Sequence, residues 1–120
     1  MADKHGTHWL EREDLGKVTV VRFKTPKVLD EDTLRAVFDP INTIVGIGRN
    51  QLVLNLAAVE YLPSMALGKL VMLNRKVEAS SGRLALCQLT PDVLEVLETT
   101  HLNTLFNIYA TEHDALQYFP

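Results

Sequence analysis

The residues of this chain best suited to chemistry include a serine placed directly after a proline. Ser64 follows Pro63 in the stretch EYLPSMALGKL, where a β-like run gives way to a helix-like one. A serine in this position suits the N-cap of a helix that begins at Met65, with its hydroxyl partly accessible. Because a helix N-terminus also favours an added anion, the same hydroxyl is a candidate for phosphorylation. The pattern therefore leaves two roles open for Ser64, a cap and a switch.

Three consecutive acids, Asp30, Glu31 and Asp32, form a second group with chemical potential. Such a group could bind a cation or serve as a general acid and base, but it also directly precedes a helical pattern. Acids at that point cap a helix and compensate its dipole, and we favour this interpretation. Since nothing else in the sequence supports catalysis, we expect the protein not to be an enzyme.

The single cysteine and the four histidines do not form a metal-binding pattern. Cys87 lies in the apolar run LALCQL, where a small buried side chain packs in a core and thiolate formation is disfavoured. A lone cysteine makes no internal disulfide, which is typical of intracellular proteins. No histidine spacing matches a zinc site. We therefore expect no metal and no cofactor.

Length and composition indicate one compact domain. The chain has 120 residues, is 47% hydrophobic and carries a net charge of -3, which gives no electrostatic footprint for nucleic acid. No segment reaches the roughly 18 consecutive apolar residues of a membrane helix, and no apolar signal region opens the chain. We expect a cytoplasmic protein without membrane insertion or a nucleic-acid partner, with a flexible N-terminus over residues 1–7 and one domain over residues 8–120.

The elements that must position these residues alternate between strands and helices. HWLERED and GKVTVVRF predict a β-hairpin joined at Leu15 and Gly16. A helical pattern follows from Leu34, in which Pro40 should cause a kink or a restart. QLVLNLAAV then has the nearly continuous apolar character of a strand covered on both faces.

The second half of the chain continues the alternation. A helix runs from Ser64 to SSG, RLALCQL is a second buried strand, and TPDVLEVLETT predicts a helix capped by Thr90. LFNIYA reads as a short strand and TEHDALQYF as a last helix capped by Thr111. This order predicts an α/β domain with a largely parallel sheet and helices packed against it.

Taken in order, these motifs resemble the STAS family of anti-sigma factor antagonists over nearly the whole chain. That family typically shows Asp-Ser-Ser-Gly-Leu-Gly at the start of an amphipathic helix, a later Thr-Pro or Ser-Pro helix start, and an Ala-Leu pair in the last helix. Upstream, VLDEDT resembles its Leu-Asp-x-x-Thr element. The matching positions are Leu29, Asp30, Thr33, Val59, Ser64, Leu67, Gly68, Gly82, Thr90, Pro91, Leu102, Leu105, Phe106, Ala115 and Leu116.

The resemblance implies a STAS-type fold, with a mixed, mostly parallel sheet of four or five strands and about four helices packed mainly on one side. It also implies that Ser64 is the phosphorylation site, with Asp30 beside it. Because an exposed first helical turn can also be read by a partner, we expect the partner-binding residues to be Asp30, Ser64, Met65 and Lys69. The implied partner is a serine-kinase-type anti-sigma factor or a related regulatory protein, and other STAS proteins are further candidates.

The chain departs from the family pattern around the serine. Where the family usually has Asp-Ser-Ser-Gly, this chain has Pro63, Ser64, Met65 and Ala66, and Ala66 adds a methyl group where a kinase would approach. The leading hypothesis is a regulatory protein-binding module that Ser64 switches. The alternative is a constitutive STAS scaffold, or a small cytoplasmic subunit of a signalling assembly or of a lipid-transport ABC complex.

Overall fold

A computed structural model describes residues 3–6, 9–25 and 30–119 of the chain. In this part six strands lie side by side in chain order; the first two pairings are antiparallel and the other three parallel. The predicted α/β class with a mixed, mostly parallel sheet is therefore confirmed. The elements are β1 (Asp3–Gly6), β2 (Leu10–Leu15), β3 (Val18–Phe23), α1 (Glu31–Gly46), β4 (Gln51–Asn55), α2 (Ser64–Ala79), β5 (Arg83–Cys87), α3 (Pro91–Thr99), β6 (Asn107–Tyr109) and α4 (Glu112–Gln117).

The sheet of the described residues has six strands rather than the four or five predicted. The additional strand, β1, lies inside the segment 1–7 that the sequence analysis assigned to a flexible N-terminus. It pairs antiparallel with β2, so that Asp3 lies opposite Asp14 and Gly6 opposite Glu11. Its sequence, DKHG, has no alternation of apolar and polar residues. A strand that is held by backbone hydrogen bonds to its neighbour needs no such alternation, so the sequence did not predict it.

The predicted hairpin is confirmed as β2 and β3. The two strands pair from Leu10 opposite Phe23 to Leu15 opposite Val18, which leaves a loop of Gly16 and Lys17. Gly16 has a φ of 62°, in the left-handed region that glycine enters without steric cost.

The two faces of the sheet bury different amounts of apolar surface. Side chains alternate along each strand, so Leu52 and Leu54 of β4 join the large core under α1, α2 and α3, whereas Val53 faces the opposite side. On that side α4 places Ala115 over a smaller cluster that also contains Cys87. The prediction that the helices pack mainly on one side is thus confirmed.

Helix α1 runs through Pro40 as one helix, without the restart that the sequence suggested. Its buried face includes Val37, Phe38 and Ile41 on both sides of the proline, and this packing holds the turn together despite the missing N–H. None of the helices in the described part of the chain is long and apolar enough to cross a lipid bilayer.

Candidate functional site

Ser64 is the first residue of α2 and is exposed. The N-cap is Pro63, whose backbone is extended (φ -71°, ψ 166°) and whose carbonyl accepts hydrogen bonds from the N–H groups of Ala66 at 2.9 Å and Leu67 at 3.1 Å. The prediction that Ser64 caps this helix is therefore wrong. Because proline has no side-chain acceptor, α2 starts without a side-chain cap, one residue earlier than predicted.

The start of α2 also lacks negative charge. Its first turn has no acidic residue, and the backbone N–H groups of Ser64 and Met65 have no hydrogen-bond acceptor among the described residues. A helix N-terminus carries a partial positive charge from such unsatisfied donors. The exposed hydroxyl of Ser64 therefore stands beside two free donors that an anion can use.

The other three helices of the described part begin differently. Asp30 caps α1 and accepts a hydrogen bond at Oδ1 from the backbone N–H of Thr33 at 2.7 Å, as its candidate role as an N-cap required. Thr90 caps α3 and Thr111 caps α4, both as predicted. Among these helices α2 alone has no side-chain cap.

Asp30 is exposed, and its hydrogen bonds from Thr33 hold the pKa of its carboxyl below the usual range. It lies at the same edge of the sheet as Ser64, namely the edge at which the parallel strands β3 and β4 end. This is because α1 follows β3 and α2 follows β4 in the chain. No hydrogen bond or ion pair in the described part joins Asp30 to Ser64, Met65 or Lys69. Leu29, which matched the same family element, lies outside the described residues.

Met65 and Lys69 lie on the exposed side of α2 together with Ser64. Met65 is 57% exposed, and Lys69 forms no ion pair with a described residue. The sequence suggested that the methyl group of Ala66 lies where a kinase would approach, but this side chain is fully buried in the large core. Its methyl group therefore lies away from the surface that a kinase would approach.

A polar cluster that the sequence does not predict lies at the carboxyl ends of the strands, on the α4 side. Arg22 of β3 binds Glu112 of α4 through two hydrogen bonds, Nε to Oε2 at 2.7 Å and Nη2 to Oε1 at 2.9 Å. The same guanidinium donates to Glu11 at 2.6 Å and Glu13 at 2.9 Å. These hydrogen bonds raise the pKa of Arg22, and those from Arg22 lower the pKa of Glu112.

Asn55 extends this cluster to the centre of the sheet. Its Nδ2 donates to Glu112 Oε2 at 2.6 Å and to Gln88 Oε1 at 3.1 Å. The cluster thus ties the first residue of α4 to the ends of β3 and β4 and positions that short helix over the smaller core. No local sequence pattern predicts this cluster, since Arg22 and Glu112 are 90 residues apart in sequence.

Cys87 is buried in the smaller core, as its apolar run predicted. Burial, with a smaller contribution from the charge of Glu112, raises the pKa of its thiol to about 12. The thiolate that a nucleophile needs is therefore strongly disfavoured at neutral pH. No group of three or more His, Cys, Asp or Glu side chains within the described ranges is arranged to hold a metal ion.

Known proteins share this architecture. An anti-sigma factor antagonist from Mycobacterium paratuberculosis is 28% identical with a TM-score of 0.79, and the match covers 91% of each chain. An anti-sigma-factor antagonist (STAS) domain protein from Planctomyces limnophilus is 23% identical with a TM-score of 0.81, covering 91% of this chain and 96% of that one. The phosphorylated form of the Bacillus cell fate determinant SpoIIAA is 22% identical with a TM-score of 0.69, covering 91% and 97%. The family model of the STAS domain matches residues 10–115, which is most of the chain, and the protein therefore belongs to the STAS domain family.

Proposed function

We propose that this protein is a regulatory protein-binding module that acts as an anti-sigma factor antagonist, with Ser64 as its phosphorylation switch. The observation that carries the proposal is the exposed position of Ser64 at the start of the one described helix without a side-chain cap. Membership of the STAS family supports it, as does the 28% identity to an anti-sigma factor antagonist.

The local geometry suits a phosphate on Ser64. A phosphoserine carries a charge of about -1.5 to -2 at neutral pH and three strong acceptor oxygens. The N–H groups of Ser64 and Met65 have no described acceptor, and no acid in the first turn of α2 opposes the added charge. Phosphorylation would therefore keep the helix intact while it changes the charge and shape of the exposed surface.

The partner in this proposal is a serine-kinase-type anti-sigma factor. The unphosphorylated protein binds it through the surface formed by Ser64, Met65 and Lys69, with Asp30 at the same edge of the sheet. Transfer of a phosphoryl group from a nucleoside triphosphate to the Ser64 hydroxyl, with release of the nucleoside diphosphate and a proton, places a dianion next to the exposed Met65. This charge disrupts apolar packing at that point and releases the partner. Removal of the phosphate restores binding.

The test compares Ser64→Glu with Ser64→Ala in binding to the kinase-type anti-sigma factor of the same host, measured by calorimetry. We expect Ser64→Ala to bind like the unmodified protein and Ser64→Glu to bind at least about tenfold more weakly. Phosphopeptide mass spectrometry of protein from its own host should find phosphate on Ser64. Equal binding by both variants would refute the switch, and so would a Ser64 that stays unmodified under every stress examined.

A second candidate function is a constitutive STAS scaffold, or a small cytoplasmic subunit of a signalling assembly or of a lipid-transport ABC complex. The observation that favours it is the rewritten motif, in which Pro63 and Met65 replace an acid and a hydroxyl next to the serine. A scaffold should assemble with its partners equally well in the Ser64→Glu variant. Co-purification of that variant with the same partners in unchanged amounts would support this function.

A further inference from the structure

One face of α2 presents an exposed strip of side chains along most of the helix. We call this surface the α2 stripe; all of its members are exposed, and their spacings of three, four and seven residues place them on one side of the helix. It comprises Met65, Gly68, Lys69, Met72, Arg75 and Lys76.

The two methionines give the stripe an apolar centre. Met65 is 57% exposed and Met72 65%, and they stand seven residues apart, about two helical turns. The opposite face of α2 is fixed in the large core by fully buried residues such as Leu70 and Val77. The methionines are therefore held at the surface by the fold, and their flexible thioethers suit a binding surface.

Gly68 lies between the two methionines on this surface. A glycine inside a helix lowers its stability relative to alanine, and here a Cβ would meet no heavy atom within 4 Å. No internal packing therefore explains the absence of a side chain. The result is a shallow notch between Met65 and Met72, into which the side chain of a second helix can fit.

The charges beside the methionines have one sign. Lys69 and Arg75 form no ion pair with a described residue, and Lys76 donates to the carbonyl of Asn42 at 3.3 Å. α2 contains one acid, Glu78, which accepts a hydrogen bond from Asn74. A basic surface on a chain whose net charge is -3 favours an acidic partner.

We propose that the α2 stripe binds an acidic amphipathic helix of the partner. Met65 and Met72 pack against the apolar seam of that helix, its smallest side chain enters the notch at Gly68, and its acids pair with Lys69 and Arg75. This inference rests on the proposed function for the identity of the partner. It also supplies a reason for release, because a phosphate on Ser64 would repel an acidic helix that lies over Met65.

The first experiment compares Met72→Glu with Ile47→Glu. Ile47 is 68% exposed and lies just after α1, outside the stripe, so it is a matched control. A glutamate at position 72 pairs favourably with Lys76 four residues later, and a glutamate at position 47 replaces a side chain that is mostly exposed. Both variants should therefore keep the fold, as circular dichroism will check. We expect Met72→Glu to weaken partner binding about tenfold or more and Ile47→Glu to leave it within about twofold. Equal effects would overturn the proposal.

The second experiment identifies the bound segment. p-Benzoylphenylalanine replaces Met72 in one protein and Ile47 in another, both are irradiated in the native host, and the cross-linked peptides are sequenced. Position 72 should cross-link to a net-negative peptide with apolar residues at helical spacing, and position 47 should not. Purified protein containing that peptide should then bind Met72→Leu normally and Met72→Glu weakly. A basic or non-helical peptide, or no cross-link from position 72, would overturn the proposal.

The two proposals fail separately. If Ser64→Glu binds normally while Met72→Glu does not, the switch is wrong and the stripe stands. If Ser64→Glu weakens binding while Met72→Glu does not, the stripe is wrong and the switch stands.

Discussion

The N-termini of α1 and α2 lie at the same edge of the sheet but are built from different chemistry. α1 starts with the cap Asp30 and has the acids Glu31 and Asp32 in its first turn. α2 starts at Pro63 with no side-chain cap and no acid in its first turn. The first helix end is thus neutralised by its own residues, whereas the second leaves donors and positive potential for a group from outside.

This difference predicts that a change of charge affects partner binding at the start of α2 but not at the start of α1, and this should be the largest effect. Ser64→Glu should lower affinity for the proposed anti-sigma factor partner about tenfold or more, while it leaves the fold intact or stabilises it by about 0.3–1 kcal/mol through the helix dipole. Glu31→Gln at the corresponding part of α1 is the control and should change affinity little. Calorimetric titration of the partner with each variant measures both effects. A loss of affinity as large in Glu31→Gln would show that the two helix ends do not differ in function.

The absence of a cap on α2 predicts a difference in stability between two alanine variants. Thr90→Ala removes a cap and a hydrogen bond to the Val59 carbonyl at 3.0 Å, and should lower the free energy of unfolding by about 1–2 kcal/mol. Ser64→Ala removes an exposed hydroxyl without a cap role and should change it by less than about 0.5 kcal/mol. Urea denaturation compares the two. Equal losses would show that Ser64 stabilises α2 after all.

The pH dependence of stability should also separate the two helix ends. The folded-state pKa of Asp30 is depressed, so its contribution is present in full above the pKa of the unfolded state and is lost as the pH falls through the folded-state value. As the pH is lowered from about 7 into the acidic range, the free energy of unfolding should therefore fall less for Asp30→Ala than for the unmodified protein. Ser64→Ala should show the same pH dependence as the unmodified protein. Urea midpoints recorded over this pH range provide the check. Parallel curves for all three proteins would contradict a charged cap on α1.

The smallest effect should come from giving α2 the cap it lacks. Pro63→Asp supplies an N-cap carboxylate but gives up the restriction that proline imposes on the unfolded chain, so the net gain in stability should be only a few tenths of a kcal/mol. Pro63→Ala, which loses the proline without adding a cap, is the matched control and should be the less stable of the two by about 0.5–2 kcal/mol. Thermal denaturation measures this order. If Pro63→Ala were the more stable variant, the start of α2 would not accept a cap.

Features that depend on neighbouring residues were predictable. The hairpin, the buried strands β4 and β5 and the caps Thr90 and Thr111 follow from alternation, apolar runs and residue preferences within a few positions. The resemblance to the STAS family added the mixed sheet of four or five strands and the expected phosphorylation of Ser64. The sequence nevertheless left the start of α2 uncertain by one residue, because both proline and serine suit the start of a helix. In the structure Pro63 occupies the N-cap.

Features that depend on distant residues were not predictable. β1 exists through pairing with the edge of β2, and the cluster of Arg22, Glu112 and Asn55 joins residues that only the folded sheet brings together. Burial was equally unpredictable at two positions of α2, since apolar spacing alone shows neither that the core covers Ala66 nor that no neighbour covers Met72.

The sequence by itself determined the succession of strands and helices and the presence of a serine at the start of α2, because backbone preferences and apolar periodicity act over a few residues. Only the tertiary structure decided that this helix end is uncapped, that Ala66 is buried, and that Met65 and Met72 share an exposed basic face. These properties depend on which surfaces the core covers. The core covers its surfaces only once α1, α2 and α3 pack on one side of the sheet and Arg22 holds α4 on the other side.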